Sequence, residues 1–502
     1  MAVPPFCGPI DSDMSSSILG SAGKIWSSRS SNKVTIPPSS RLLFLAFLGI
    51  SALLGGLLLS QFVPGSYVFG VLALVAACGT ALIRWPEGGL LVIVVASVMP
   101  RVSVEIGGWN SRPEHYAVGI VLLILCFRWV KGERTRIQLT SADCFLIAYL
   151  LLNYLSSALM SPEPKQTLRS ALLTNLAIMP YFLIRFFVKD DRILRWAFKV
   201  FLATGILEGA YALVSFTSYH IFDTSFGVEV GQYAGSVDGV YGTHLEANFL
   251  GSYSGSLAIM LLVLYFLSDR RPAWLLTGLI VALYAMVASL ARAALLSFAV
   301  VAILLAFLGL VMRALRPKKL LLLAGCLILF VPPIALTRGR YIAERLTNLA
   351  QGRLQDESET AAGRIVAWTA TIGDIRQHPI LGTGTASFQL MADATLLPML
   401  GDRPWVGNTP IRILHDTGLV GLLLFGSVFL GIGAQVKNII NLKRQGREIV
   451  IALSAGCLIY TFAFMSTEGT MLSFFWVHTG LLASACSVCI TSRESSVGCQ
   501  TS

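Results

Sequence analysis

The chemistry-bearing residues of this chain concentrate between Arg338 and Gly418. Arg338, Arg340, Arg345, Arg353, Arg364, Arg376, Arg403 and Arg412 share this interval with His378, His415 and several carboxylates. A guanidinium fork matches phosphate oxygens with two parallel hydrogen bonds and keeps its charge at any relevant pH. A histidine near its ordinary pKa can take a proton from a hydroxyl. Two other stretches carry comparable groups. One is Ser289-Leu290-Ala291-Arg292-Ala293; the other runs from Tyr241 to Asn248 and holds His244 and Glu246. Glu208 lies inside an apolar run, where a carboxylate is a functional candidate by default.

The elements that position these groups are set by composition. The 502 residues are 55% hydrophobic and 13% charged, against about 25% charged in soluble domains. The mean hydropathy is +0.71. Apolar runs recur at 42–62, 66–83, 87–100, 116–130, 142–160, 168–188, 194–217, 244–267, 273–290, 293–312, 319–337, 417–436, 449–466 and 472–490. Many are long enough to cross a bilayer as helices, and no period-2 alternation points to a barrel. The expectation is an all-α, polytopic integral membrane protein of about 12–14 transmembrane helices. The polar interval cannot lie in hydrocarbon, so it forms one long extracytoplasmic loop with short helices of its own.

Loop charge sets the orientation. With the N-terminus inside, the inner loops hold Lys131, Arg134 and Arg136; Lys189, Arg192 and Arg195; Arg313, Arg316, Lys318 and Lys319; and Lys437, Lys443, Arg444 and Arg447. The short outer loops hold far fewer, as the positive-inside rule requires. Both termini are then cytoplasmic. The expected layout is a disordered tail over 1–40, transmembrane helices over 41–337, the long loop over 338–416, three last spans over 417–490, and a second tail over 491–502. The net charge of +11 forms no single stripe, which excludes a nucleic-acid partner. Cysteines lie in apolar runs or tails, so neither a disulfide framework nor a metal site is expected; Cys486 and Cys489 read as buried small residues.

Arg292, at a tight outer turn, and Arg364, in the loop, then face the same side. There the natural anion with an apolar tail is a lipid-linked diphosphate. Within the loop, 358–377 reads as a helix capped by Ser358 and ended by Pro379, with an apolar stripe of Ile365, Trp368, Ile372 and Ile375. His415 stands at the membrane edge. Adjacent residues do not face each other on a helix, so Asp416 is not expected to orient it.

Four segments together resemble the O-antigen ligase and polymerase superfamily. They are Ser289-Leu-Ala-Arg292-Ala293; Gly363-Arg364-Ile-Val-Ala-Trp368 with His378-Pro379-Ile-Leu-Gly382-Thr-Gly384; Asn408 through Gly418-Leu-Val-Gly421-Leu-Leu-Leu-Phe425; and Gly242-Thr-His-Leu-Glu-Ala-Asn248. The resemblance implies a metal- and cofactor-independent glycosyltransferase in the bacterial inner membrane. Such an enzyme moves a glycan from undecaprenyl diphosphate to a hydroxyl of an acceptor glycan or lipid A core. It implies diphosphate binding by Arg292 and Arg364; His244, Glu246, Asn248 and Asn408 are candidates for contacts to the acceptor or sugar. The family's histidine falls at Gly407 here, and His415 is the nearest replacement as catalytic base. A transporter or flippase of polyprenyl-linked sugars is the alternative reading; it would call for internal repeats and charges at mid-membrane.

Overall fold

The computed structural model describes residues 87–101, 104–106, 109–132, 138–229, 239–268, 272–311, 355–391, 405–440 and 446–498, with Gly325 and Thr347. Contacts divide the chain at Ala81/Leu82, and all described residues belong to the second unit. The expected tail 1–40 and the expected spans 42–62, 66–83 and 319–337 lie outside the described residues, as do parts of the long loop.

Helices stand where the remaining apolar runs predicted them. They are α1 (Gly88–Ser97), α2 (Pro113–Val130), α3 (Ser141–Leu159), α4 (Pro164–Phe187), α5 (Asp191–Phe222), α6 (Ala247–Leu267), α7 (Ala273–Ala288) and α8 (Arg292–Val311). The long loop contributes α9 (Gln355–Gln377) and the short α10 (Phe388–Met391), and α11 (Thr409–Ile440), α12 (Arg447–Ala463) and α13 (Ser473–Gly498) complete the set. Seven of these are long and apolar enough to cross a membrane. Two minimal antiparallel ladders accompany them: β1 (Val104–Ile106) with β2 (Trp109–Ser111), Glu105 opposite Asn110, and β3 (Val228–Glu229) with β4 (Gly239–Val240). The chain is an all-α polytopic membrane protein. Its outward side chains agree: Leu123, Leu207, Leu296 and Leu430 are each largely exposed on helices whose other faces are packed, as a lipid-facing surface requires.

Local chemistry starts the helices. Thr140 and Asp143 form a reciprocal capping box at α3, Asp190 accepts from the Ile193 amide at 2.8 Å ahead of α5, and Pro113 and Pro164 occupy first-turn positions of α2 and α4. At the centre stands α6, buried along most of its length. Its Gly251 backs onto Ser289, Ala291 and Ala294, and its Gly255 onto Met286 and Ile459. Small residues let neighbouring backbones approach closely where no hydrophobic drive exists between helices in lipid.

One end of the bundle gathers the polar connections. The Thr243 hydroxyl lies 2.7 Å from the Val98 carbonyl after α1, and Arg112, before α2, donates to the Met471 carbonyl before α13 at 3.2 Å. Ser156, near the end of α3, donates to the carbonyls of Leu381 and Asp416 at 2.6 and 2.7 Å. The Ser289–Ala291 turn meets the start of α6. Glu208 has a partner that the sequence did not reveal. Its carboxyl engages the Thr243 amide and hydroxyl, each at 2.8 Å, and so holds the 239–246 segment against α5.

α13 continues as helix to Gly498, past the expected end of the last span at 490. One expectation is corrected. The apolar stripe of α9 is misplaced: Ile365 and Ile372 are exposed, while Ala367 and Thr371 are fully buried and Trp368 donates to the Val406 carbonyl at 2.8 Å. Periodicity cannot distinguish two apolar faces of one helix when small residues form the packed one.

The most consequential local feature is a break inside α11 at Gly418, with φ 66° and ψ −168°. The segment after α9 satisfies the backbone there. Thr383 and Gly384 amides donate to the carbonyls of His415 and Asp416 at 2.8 and 3.0 Å, and the Leu419 amide donates to the Pro379 carbonyl at 2.9 Å. A Cβ on residue 418 would collide with the Ile380 carbonyl, and its backbone region is essentially restricted to glycine. Gly418→Ala is expected to lower the thermal midpoint of the detergent-purified protein clearly, by at least about 1–3 kcal/mol of strain. Gly426→Ala, in the same helix with open space around its Cβ, is the control and is expected to be neutral.

Candidate functional site

The polar start of α11 builds the site. Asn408 caps the helix, its Oδ1 accepting from the Ile411 amide at 3.0 Å, while its Nδ2 donates to the Met465 carbonyl at 2.7 Å. The Thr409 hydroxyl donates to the Thr467 carbonyl at 3.0 Å and accepts from the Gly469 amide at 2.9 Å. These bonds stitch the loop between α12 and α13 onto the first turn of α11. They carry Glu468 directly over Arg412.

Arg412 is 5% exposed and is shared between two carboxylates. Its Nη1 pairs with Glu468, and its Nε donates to Asp416 Oδ2 at 3.3 Å, one helical turn on. Glu468 Oε1 also accepts from the amides of Val406 and Gly407, at 3.0 and 3.3 Å. Asp416 Oδ2 accepts from the Ala386 amide at 3.0 Å, and Oδ1 lies 3.2 Å from His415 Nδ1. On the other side of the ring, His415 Nε2 is 3.2 Å from Asp374 Oδ2 on α9. A cleft beside this network is lined by Ala386, Phe388, Gln389, Val406, Arg412, Asp416 and Glu468.

Both ring nitrogens of His415 face carboxylates, and an imidazole can donate from both only as the cation. The ring stands outside the membrane-crossing part of α11, which begins past the break at Gly418. Burial opposes its charge, yet the hydrogen bonds to Asp374 and Asp416 prevail and raise its pKa to about 9. Burial also pushes the Glu468 carboxyl above the usual range, with Arg412 working against it. The cluster thus sets three carboxylates (Asp374, Asp416, Glu468) against two cations (Arg412, His415).

The expected site residues divide. His415 and Asn408 lie in this cluster or at its edge. Against expectation Asp416 does contact His415. Arg292 opens α8 and Arg364 rides on α9, both exposed; α9 packs on α11, whereas α8 packs on α6 and α12. His244 is fully buried between the rings of Tyr253 and Phe474, at centroid distances of 5.3 and 5.1 Å, and burial lowers its pKa to about 3. It is therefore neutral and shielded from any incoming sugar. Glu246 and Asn248 flank the start of α6, half-buried. Sequence reasoning named Arg412 without a specific role, set Asp416 aside, and passed over Asp374 and Glu468. The i, i+4 spacing of Arg412 and Asp416 was a readable signal, but nothing local marked Glu468, a single acid between two apolar runs.

In a comparison with known families, residues 277–426 fit the family model described as O-antigen ligase. The matched stretch runs from α7 into α11 and contains Arg292, Arg364, Asp374, Arg412, His415 and Asp416. Comparison with curated proteins finds no match.

Stability should report the charge on His415. A folded-state pKa of about 9 against an ordinary 6.5 means the proton is held more tightly when folded. This contribution is fully present below pH 6.5 and is lost as pH rises through 9; it is worth at most about 3 kcal/mol. Thermal midpoints between pH 6.5 and 9.5 are expected to fall for the native protein. The fall should be shallower for His415→Gln.

Proposed function

We propose that this chain, whose residues 277–426 fit the O-antigen ligase family model, is a membrane glycosyltransferase of surface polysaccharide assembly. It moves a glycan from an undecaprenyl-diphosphate donor to a hydroxyl of an acceptor glycan or lipid A core, as ligase or polymerase. In this reading it sits in the bacterial inner membrane with both termini cytoplasmic, and its polar end faces outward, where the lipid-linked donor presents its glycan. The observation that carries the reading is the buried, cross-linked cluster around Arg412 beside a cleft, standing within and against the matched stretch.

The chemistry asks for three things. Negative charge on the departing diphosphate must be stabilised, the acceptor oxygen must be held at the anomeric carbon, and its proton must leave. Arg292 and Arg364 take the first role: both are exposed guanidinium groups that an arriving diphosphate can reach. His415 works as a positioning cation, fixing Asp416 and Asp374 on either side. Asn408 positions too, by capping α11 and tying it to the 465–469 turn. A flippase would place its charges at mid-membrane on broken helices; here the break in α11 and the cluster lie together at the polar end.

The test is transfer in proteoliposomes containing the purified protein, with undecaprenyl-diphosphate-linked glycan extracted from the producing cells as donor and their own surface glycan lipids as acceptor. The native protein is expected to transfer glycan without added metal. Arg292→Ala and Arg364→Ala should each lower the rate roughly 10²–10³-fold, the usual cost of losing one donor to developing negative charge. Absence of transfer by the native protein, or unchanged rates in both variants, overturns the reading.

A further inference from the structure

We propose that Asp374 and Trp368 are positioning residues: they clamp α9 onto α11 and the 405–407 segment, and thereby set where Arg364 meets the donor's diphosphate. This role rests on the glycosyltransferase reading, with Arg364 as a diphosphate ligand. Neither residue touches the substrate; both act through the helix that carries Arg364.

The packed face of α9 is made largely of small side chains. Ala367 and Thr371 are fully buried. Ala367 clusters with Phe388 and Val406, and Trp368, Ala370 and Ile411 pack against them. Small side chains bring little apolar area to a contact, so area alone leaves a helix room to slide and roll. Directional bonds remove that freedom. Trp368 Nε1 donates to the Val406 carbonyl at 2.8 Å, and Asp374 Oδ2 lies 3.2 Å from His415 Nε2. The two ties stand about two helical turns apart.

Both ties end on the same buried base. The Val406 amide donates to Glu468 Oε1 at 3.0 Å, and Glu468 pairs with Arg412. His415 reaches Arg412 by the other route, through Asp416. The His415 ring is itself immobilised: it is fully buried, stands edge-on to Phe388 at a centroid distance of 5.8 Å, and its backbone carbonyl accepts from the Thr383 amide. Each anchor is therefore rigid, and a rigid anchor transmits position rather than merely adding stability.

Arg364 is exposed and precedes Trp368 by one helical turn, on the same side of α9. It stands about 15 Å along the helix from Asp374. A helix held at two points cannot pivot. Held at one, it turns about the remaining point, and its free end sweeps. With Trp368 as the sole pivot, about 6 Å from Arg364, a tilt of about 10° shifts the start of the arginine side chain by about 1 Å. A misplacement of about 1 Å can cost on the order of 10²-fold in a positioned reaction.

The experiment uses the full-length protein in nanodiscs, with undecaprenyl diphosphate as the binding probe and the extracted donor described above for transfer. Asp374→Ala and Trp368→Phe each remove one tie. Each is expected to weaken probe binding and raise the KM for donor roughly tenfold, and to speed amide exchange over α9. In an Arg364→Ala background, Asp374→Ala should change probe binding by less than about twofold, because no guanidinium is left to misplace. An equal loss in both backgrounds is the mark of a merely structural role and overturns the proposal. Native amide exchange over α9 in D374A, or native probe binding by both tie variants, overturns it too. Native probe binding by Arg364→Ala instead removes that arginine from the proposed function, and absence of transfer by the native protein overturns the glycosyltransferase reading; the positioning role falls with either.

Discussion

One guanidinium held between two carboxylates organises the polar end of this protein. Arg412, Glu468 and Asp416 are all buried, and isolating any of these charges from water is expensive. Burial is tolerable because each charge finds an opposite one and the remaining oxygens accept backbone amides from Val406, Gly407 and Ala386. Removing one member of such a set typically costs about 3–5 kcal/mol, because the others stay buried and unpaired. The arrangement therefore also fixes topology. It binds the start of α11, the end of the long loop and the loop between α12 and α13, which are far apart in the chain.

The break at Gly418 serves the same end by backbone means. A continuous α11 would turn the carbonyls of His415 and Asp416 into its own ladder. The left-handed glycine frees them, and the Thr383 and Gly384 amides take them over. The turn after α9 is thereby docked on α11, with Ala386 brought to Asp416 and Thr383 to His415. Asp374 arrives on α9 by that route. Charge network and backbone break support one another: neither the docked turn nor the double-sided grip on His415 would exist without both.

Much of this was legible beforehand, for physical reasons that differ by element. Hydrocarbon tolerates few polar groups, so apolar runs located α2 to α8 and α11 to α13 closely. The tight turn before Arg292 followed from two runs separated by a few residues. What failed was anything that depends on which face packs. Ile365 and Ile372 looked like a core stripe and are exposed, because Ala367 and Thr371 let α9 lie closer. The packing of His244 among aromatic rings was likewise not readable from its neighbours in sequence. Glu468 was invisible because its importance is wholly tertiary: it matters through Arg412, 56 positions away in the chain.

Exposed and buried cations in this molecule suit different ligands. A diphosphate brings its charge in and takes it away again, so the group that meets it must be reachable from water. Arg292 and Arg364 are both exposed. Arg412 is covered, and its charge is already matched by two carboxylates. With one carboxylate in excess, the cluster would repel a second anion rather than hold it.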